Sequence, residues 1–126
     1  MESKDECELK VSDPIEVRST DKATIEEIGR LRFAVWSADN LLDESLFPDH
    51  SWVDDMDFGE AARHWIVRDL VSRDLVGAAR LTRHESLEDG YRDVKLWRDC
   101  GLTLAVPLVD FGRQAVLGAY RRRGIA

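Results

Sequence analysis

Cysteine is scarce in this chain: Cys7 and Cys100 are the only two in 126 residues. They form neither a metal-ligand nor a redox spacing, so two free thiols are expected rather than a disulfide framework. No apolar run approaches the length that spans a bilayer, which argues against a membrane protein. The N-terminus is acidic and lacks the basic start and oily centre of a secretory signal, so the expected location is cytoplasmic. Positive charge is also in deficit. A formal net charge of -7 argues against a general nucleic-acid binder, which carries a basic surface. Internal repeats and low-complexity segments are missing as well.

What is present suits one globular domain, with 44% hydrophobic and 34% charged residues. The charge is unevenly placed. Residues 39–60 hold eight acidic side chains and no Lys or Arg, whereas every charged residue after Asp110 is arginine. Residues 1–13 are charged, poor in large apolar side chains and expected to be a disordered tail. Pro14 introduces the alternating segment 15–19, a first strand. Thr20 or Asp21 can cap the next element, with a second cap available at Thr24 paired to Glu27. Ile25, Ile28, Leu31 and Val35 then recur at helical spacing, which predicts an amphipathic helix to about Trp36.

Residues 37–62 are irregular, with Pro48, Gly59 and scattered aromatics, and a short helix is expected within them. Asp54, Asp55 and Asp57 invite a metal reading with His50 nearby, but the EF-hand spacing fails. A solvated acidic rim, or a collar favouring a cationic amine, is the simpler expectation. Residues 63–69 (RHWIVRD) and 75–83 (LVGAARLTR) read as an antiparallel hairpin, with Trp65 and Val67 opposite Ile66 and with Gly77 relieving crowding or marking a bulge. His64 reads as a structural histidine in preference to a catalytic one. Residues 93–100 can form a helix that Gly101 stops.

The C-terminal stretch PLVDFGRQAVLGAYRRRGIA organises the rest. Residues 108–117 read as a strand. Without a bulge, Asp110, Gly112 and Gln114 share one face, and Phe111, Ala115 and Leu117 share the other. Beyond it, Arg121 to Ala126 suit a tight turn in which Gly124 lets backbone N–H groups converge on an anion.

These residues resemble the GCN5-related N-acetyltransferase (GNAT) superfamily. Its signature, Gln/Arg-x-x-Gly-x-Gly/Ala after a central strand, is matched by Arg121, Gly124 and Ala126. GRQAV resembles the family strand ending in "LAV", RLRFAVW resembles its first helix, and the hairpin resembles "ARHxxV … VGxARL". The resemblance implies a mixed α+β, partial GNAT fold: a mainly antiparallel sheet with the N-terminal helix packed on it, residues 14–126 forming an incomplete domain. Its C-terminal half is expected beyond Ala126, and the 126 residues alone are expected to be inactive or nearly so.

By the same resemblance the co-substrate is acetyl-CoA, with no metal. Backbone near Gln114 and Val116 would pair with its pantetheine arm, and Arg121, Arg122, Arg123, Gly124, Ile125 and Ala126 would bind its pyrophosphate. Asp110 falls where several family members carry a catalytic glutamate. A carboxylate there can accept the amine proton directly or through water. Arg32 reads as a surface or snorkelling side chain, or alternatively as a border of the acceptor site. The implied reaction is acetyl transfer to the primary amine of a small molecule or peptide, without nucleic acid or membrane, and with homodimerisation open. Two alternatives remain: an acyl-homoserine-lactone-synthase-like acyltransferase, which shares an acidic, tryptophan-bearing segment before VGxARL, and a non-catalytic acyl-CoA-binding module.

Overall fold

The computed structural model describes residues 10–86, 99–101 and 106–121. In chain order they form β1 (Ile15–Val17), α1 (Lys22–Ala38), two short 3-10 turns (Glu44–Leu46 and Asp55–Phe58), β2 (Ala62–Arg68), β3 (Leu75–His84), β4 (Leu108–Val116) and a last 3-10 turn (Gly118–Tyr120). The four strands make one antiparallel sheet in the order β1-β2-β3-β4, with α1 packed over β3 and β4. The fold is therefore mixed α+β, with a mainly antiparallel sheet and the N-terminal helix packed on it, as expected. No described helix is long and apolar enough to cross a membrane.

Asp21 caps α1, accepting from the Thr24 N–H at 3.2 Å and from the Thr24 hydroxyl at 2.8 Å. The alternative cap at Thr24 is not used, because Glu27 is held by both Arg68 guanidinium nitrogens at 2.8 Å. The predicted stripe of Ile25, Ile28, Leu31 and Val35 is buried and meets Val17, Ile66, Leu75, Ala78 and Ala115 in a single core. Removing such side chains from water is the main force that seats the helix on the sheet. Gly29 lets the segment before the second 3-10 turn lie against α1. Its carbonyl accepts from Trp52 N–H at 3.0 Å, and a Cβ there would stand 2.5 Å from Ser51 Oγ and 2.6 Å from Val53 Cγ1.

Two expectations need correcting. The last residues of the supposed tail join the sheet: Val11 bridges Asp69, Ser12 N–H donates to Arg68 O at 2.8 Å, and Leu70 N–H donates to Lys10 O at 2.8 Å. An edge strand offers unpaired backbone groups, and a polar segment can satisfy them. The helix expected over residues 93–100 lies outside the described residues except for Asp99 and the exposed free thiol of Cys100.

The second correction concerns β4, which is bulged. Gly112 opposes Arg80 and Ala115 opposes Ala78, so Arg113 and Gln114 together face Ala79. Arg113 takes up the extra residue at φ 53°, a conformation uncommon for a non-glycine side chain. Because one residue is added, the alternation slips. Ala115 shares the α1-facing side with Asp110, and Phe111 stands 58% exposed on the other side.

Candidate functional site

The second 3-10 turn begins with a reciprocal cap: Asp54 Oδ1 accepts from Asp57 N–H at 3.2 Å, and Asp57 Oδ2 accepts from Asp54 N–H at 2.8 Å. This turn buries the Asp57 carboxylate and leaves that of Asp54 35% exposed beside the sheet. Arg32 of α1 grips Asp57 with two bonds, at 2.9 and 3.0 Å, and donates to Trp52 O at 3.1 Å. Arg80 of β3 reaches Asp54 and Asp57, each at 3.1 Å. Arg113, on the β4 bulge, donates to Asp54 Oδ2 at 2.9 Å and lies 4.2 Å above the Trp52 ring.

The turn therefore fastens helix, hairpin and last strand together through alternating charges. Arg32 is 1% exposed and Asp57 fully buried. Arg32 is neither a surface side chain nor free to meet a substrate, since it is buried and both of its terminal nitrogens are committed to Asp57 and Trp52. Asp57 likewise is no part of a solvated rim, being buried, and Asp54, 35% exposed, is paired to Arg80 and Arg113, whereas Asp55 is exposed as a rim residue would be. Among the described residues no group of His, Cys, Asp and Glu has the arrangement to hold a metal ion.

Burial pushes the Asp57 carboxyl upward, but the Arg32 guanidinium, the Asp54 N–H and Arg80 outweigh it and hold the group below its ordinary range. Burial also lowers the pKa of Arg113, with Arg80 adding to the effect. His64, fully buried, sits with Nε2 2.9 Å from Asp57 O, the structural position its sequence context suggests. Burial depresses its pKa below the ordinary 6.5. The unfolded chain therefore takes up the proton first as pH drops, so this contribution is whole above pH 6.5 and shrinks below it. We expect thermal stability to decline on acidification through that value, by up to about 1.4 kcal/mol per pH unit. His64→Gln should flatten that limb in a pH series of melting curves, and an unchanged slope would remove His64 as its source.

Next to this network is a cleft of about 350 Å3, bounded by Trp36, Trp52, Asp54, Arg80, His84 and the β4 segment from Asp110 to Arg113. Asp110 opens into it with its side chain 40% exposed, and His84 Nε2 stands 3.9 Å from its Oδ2. The two come together because Asp110 pairs with Thr82, and His84 is two residues further on the same side of β3. Asp110, read from sequence as the proton acceptor, is thus accessible and lines a concave site of mixed charge.

Past the bulge, β4 forms the outer edge of the described sheet. Leu117 N–H donates to Val76 O at 3.0 Å, so by antiparallel alternation the backbone groups of Val116 turn outward. Val116 O accepts there from Arg121 Nε at 3.0 Å, and Gln114 O accepts from Trp36 Nε1 at 3.3 Å. Arg121 also pairs with Asp39 at 2.9 Å, both side chains 42% exposed. Of the residues assigned to pyrophosphate, Arg121 is placed at the end of this edge, while Arg122, Arg123, Gly124, Ile125 and Ala126 lie outside the described residues.

Sequence reading passed over Arg80, His84, Arg113 and Trp36. The first two carried a signal: Arg80, Thr82 and His84 alternate along β3 on the side that Ala78 shows to be buried. Polar residues recurring at inward strand positions mark a paired interior network or a site. Arg113 gave no such signal, since its position depends on the bulge. No protein-family model, curated protein or solved structure matches the chain.

Proposed function

We propose that the protein is an acyl-CoA-dependent N-acyltransferase of GNAT type, moving an acetyl group from acetyl-CoA to a primary amine. The observation that carries this reading is the layout of β4: an accessible carboxylate, Asp110, in a cleft at one end and an outward-turned backbone edge leading to Arg121 at the other. In this reading the thioester arm lies along the edge and the amine enters the cleft. The amine lone pair attacks the thioester carbonyl carbon and the C–N bond forms. The tetrahedral intermediate collapses with loss of the C–S bond, and the thiolate leaves. Asp110 accepts the ammonium proton, directly or through one water, and the thiolate is protonated in turn. Holding both reactants on one strand supplies much of the acceleration.

The test is calorimetric titration of acetyl-CoA into the protein, with thiol release followed over a panel of amines. Gly124→Asp, which puts a side chain and a negative charge against the diphosphate, should weaken acetyl-CoA at least about tenfold. Unchanged affinity in that variant would detach the arginine-glycine motif from cofactor binding. Tight binding without thiol release would favour a non-catalytic acyl-CoA module. The acyl-homoserine-lactone-synthase-like reading draws support from the bonding of the acidic, tryptophan-bearing segment onto Arg80 of VGAARL. Turnover with an acyl-carrier-protein thioester and none with acyl-CoA would select it.

A further inference from the structure

We infer that the Trp36 indole is the partition between a donor groove and the acceptor cleft, and that it restricts the acyl donor to short chains. The inference rests on the acyltransferase reading above and assigns its donor class. Two hollows follow one another along β4. The cleft of about 350 Å3 reaches from Asp110 to Arg113. A groove of about 280 Å3 runs beside Gln114, Ala115 and Val116 between Val35, Leu41 and Arg121. Trp36 is the one described residue that borders both. Their chemistry differs in the way an acyl transfer requires: the groove offers Val35, Leu41, Ala115 and Val116 to a thioester arm, with the Asp39–Arg121 ion pair also in its wall, whereas the cleft holds Asp54, Arg80, Asp110 and Arg113.

The indole is fixed in place. Its Nε1–H donates to Gln114 O on the bulge at 3.3 Å. Its ring meets Trp52 edge-on at 5.3 Å, and Trp52 is backed by Phe47 at 6.0 Å and by Arg113 at 4.2 Å. Swinging Trp36 aside means giving up a bond to main chain and one contact of an aromatic stack. A thioester arriving along the groove must therefore present its carbonyl at the Trp36–Gln114 junction. An acetyl group ends there. Longer chains must either occupy the cleft that the amine needs or press on the indole. Each methylene refused a buried place forgoes up to about a fourfold gain in binding.

The experiment compares kcat/KM for acetyl-, butyryl-, hexanoyl- and octanoyl-CoA, with one reactive amine, in the wild-type protein, Trp36→Ala and Trp36→Phe. In the wild type the ratio of octanoyl to acetyl turnover should be about 0.1 or lower, and Trp36→Ala should raise it at least about tenfold. Trp36→Phe, which keeps a ring but not the N–H, should shift it by less. Far-UV dichroism checks folding. If Trp36→Ala does not fold, Trp36→Leu replaces it, and the same increase is required of it. Equal wild-type use of octanoyl and acetyl donors, or a ratio untouched in the truncated variant, overturns the assignment to Trp36 while leaving acyl transfer standing. Absence of thiol release from every donor overturns the acyltransferase reading and this inference with it.

Discussion

Asp57→Ala should cost about 3–5 kcal/mol of folding stability, because it strips a buried guanidinium of its counter-charge. Arg32 is 1% exposed and makes both of its carboxylate bonds to Asp57, and Arg80 shares the same group. Without it, the Arg32 charge is left with only the Trp52 carbonyl at 3.1 Å, far less than the desolvation of a cation requires. The half of the reciprocal cap in which Asp57 Oδ2 accepts from Asp54 N–H is lost at the same time. Domains of this size are held by only about 5–15 kcal/mol, so a large share of the folded population would be given up. Urea unfolding measures this directly. A loss below about 1 kcal/mol, the size seen for solvated pairs, would contradict a dry interior network.

Asp110→Asn should lower kcat for amine acetylation by about two orders of magnitude, within the range a general base contributes. The amide keeps the size and hydrogen-bonding reach of the side chain but cannot take a proton. Asp110 belongs to the cleft and stands apart from the groove beside Gln114 to Val116, so acetyl-CoA affinity should change little. Asp110→Glu should restore part of the rate by presenting a carboxylate from a longer arm. A wild-type kcat in Asp110→Asn would assign proton transfer elsewhere, with His84, 3.9 Å from Asp110, the next residue to vary.

The sequence by itself determined the elements. Apolar spacing from Ile25 to Val35 was enough for α1, since burying one stripe satisfies the helical period whatever it packs against. The β2–β3 hairpin was legible for the same local reason, whereas Asp110 was nominated only through the resemblance to the GNAT superfamily. Charge pairing was decided only in three dimensions. Arg32, Asp57, Arg80 and Asp54 come from a helix, a turn and a strand, and nothing in a linear run of aspartates says that arginines from two other elements will neutralise them. The bulge was decided there too. One residue at φ 53° reverses which side chains of β4 meet the core, since strand alternation carries any slip to every later position. Local periodicity records what each segment must bury, whereas electrostatic partners and register depend on which segments meet.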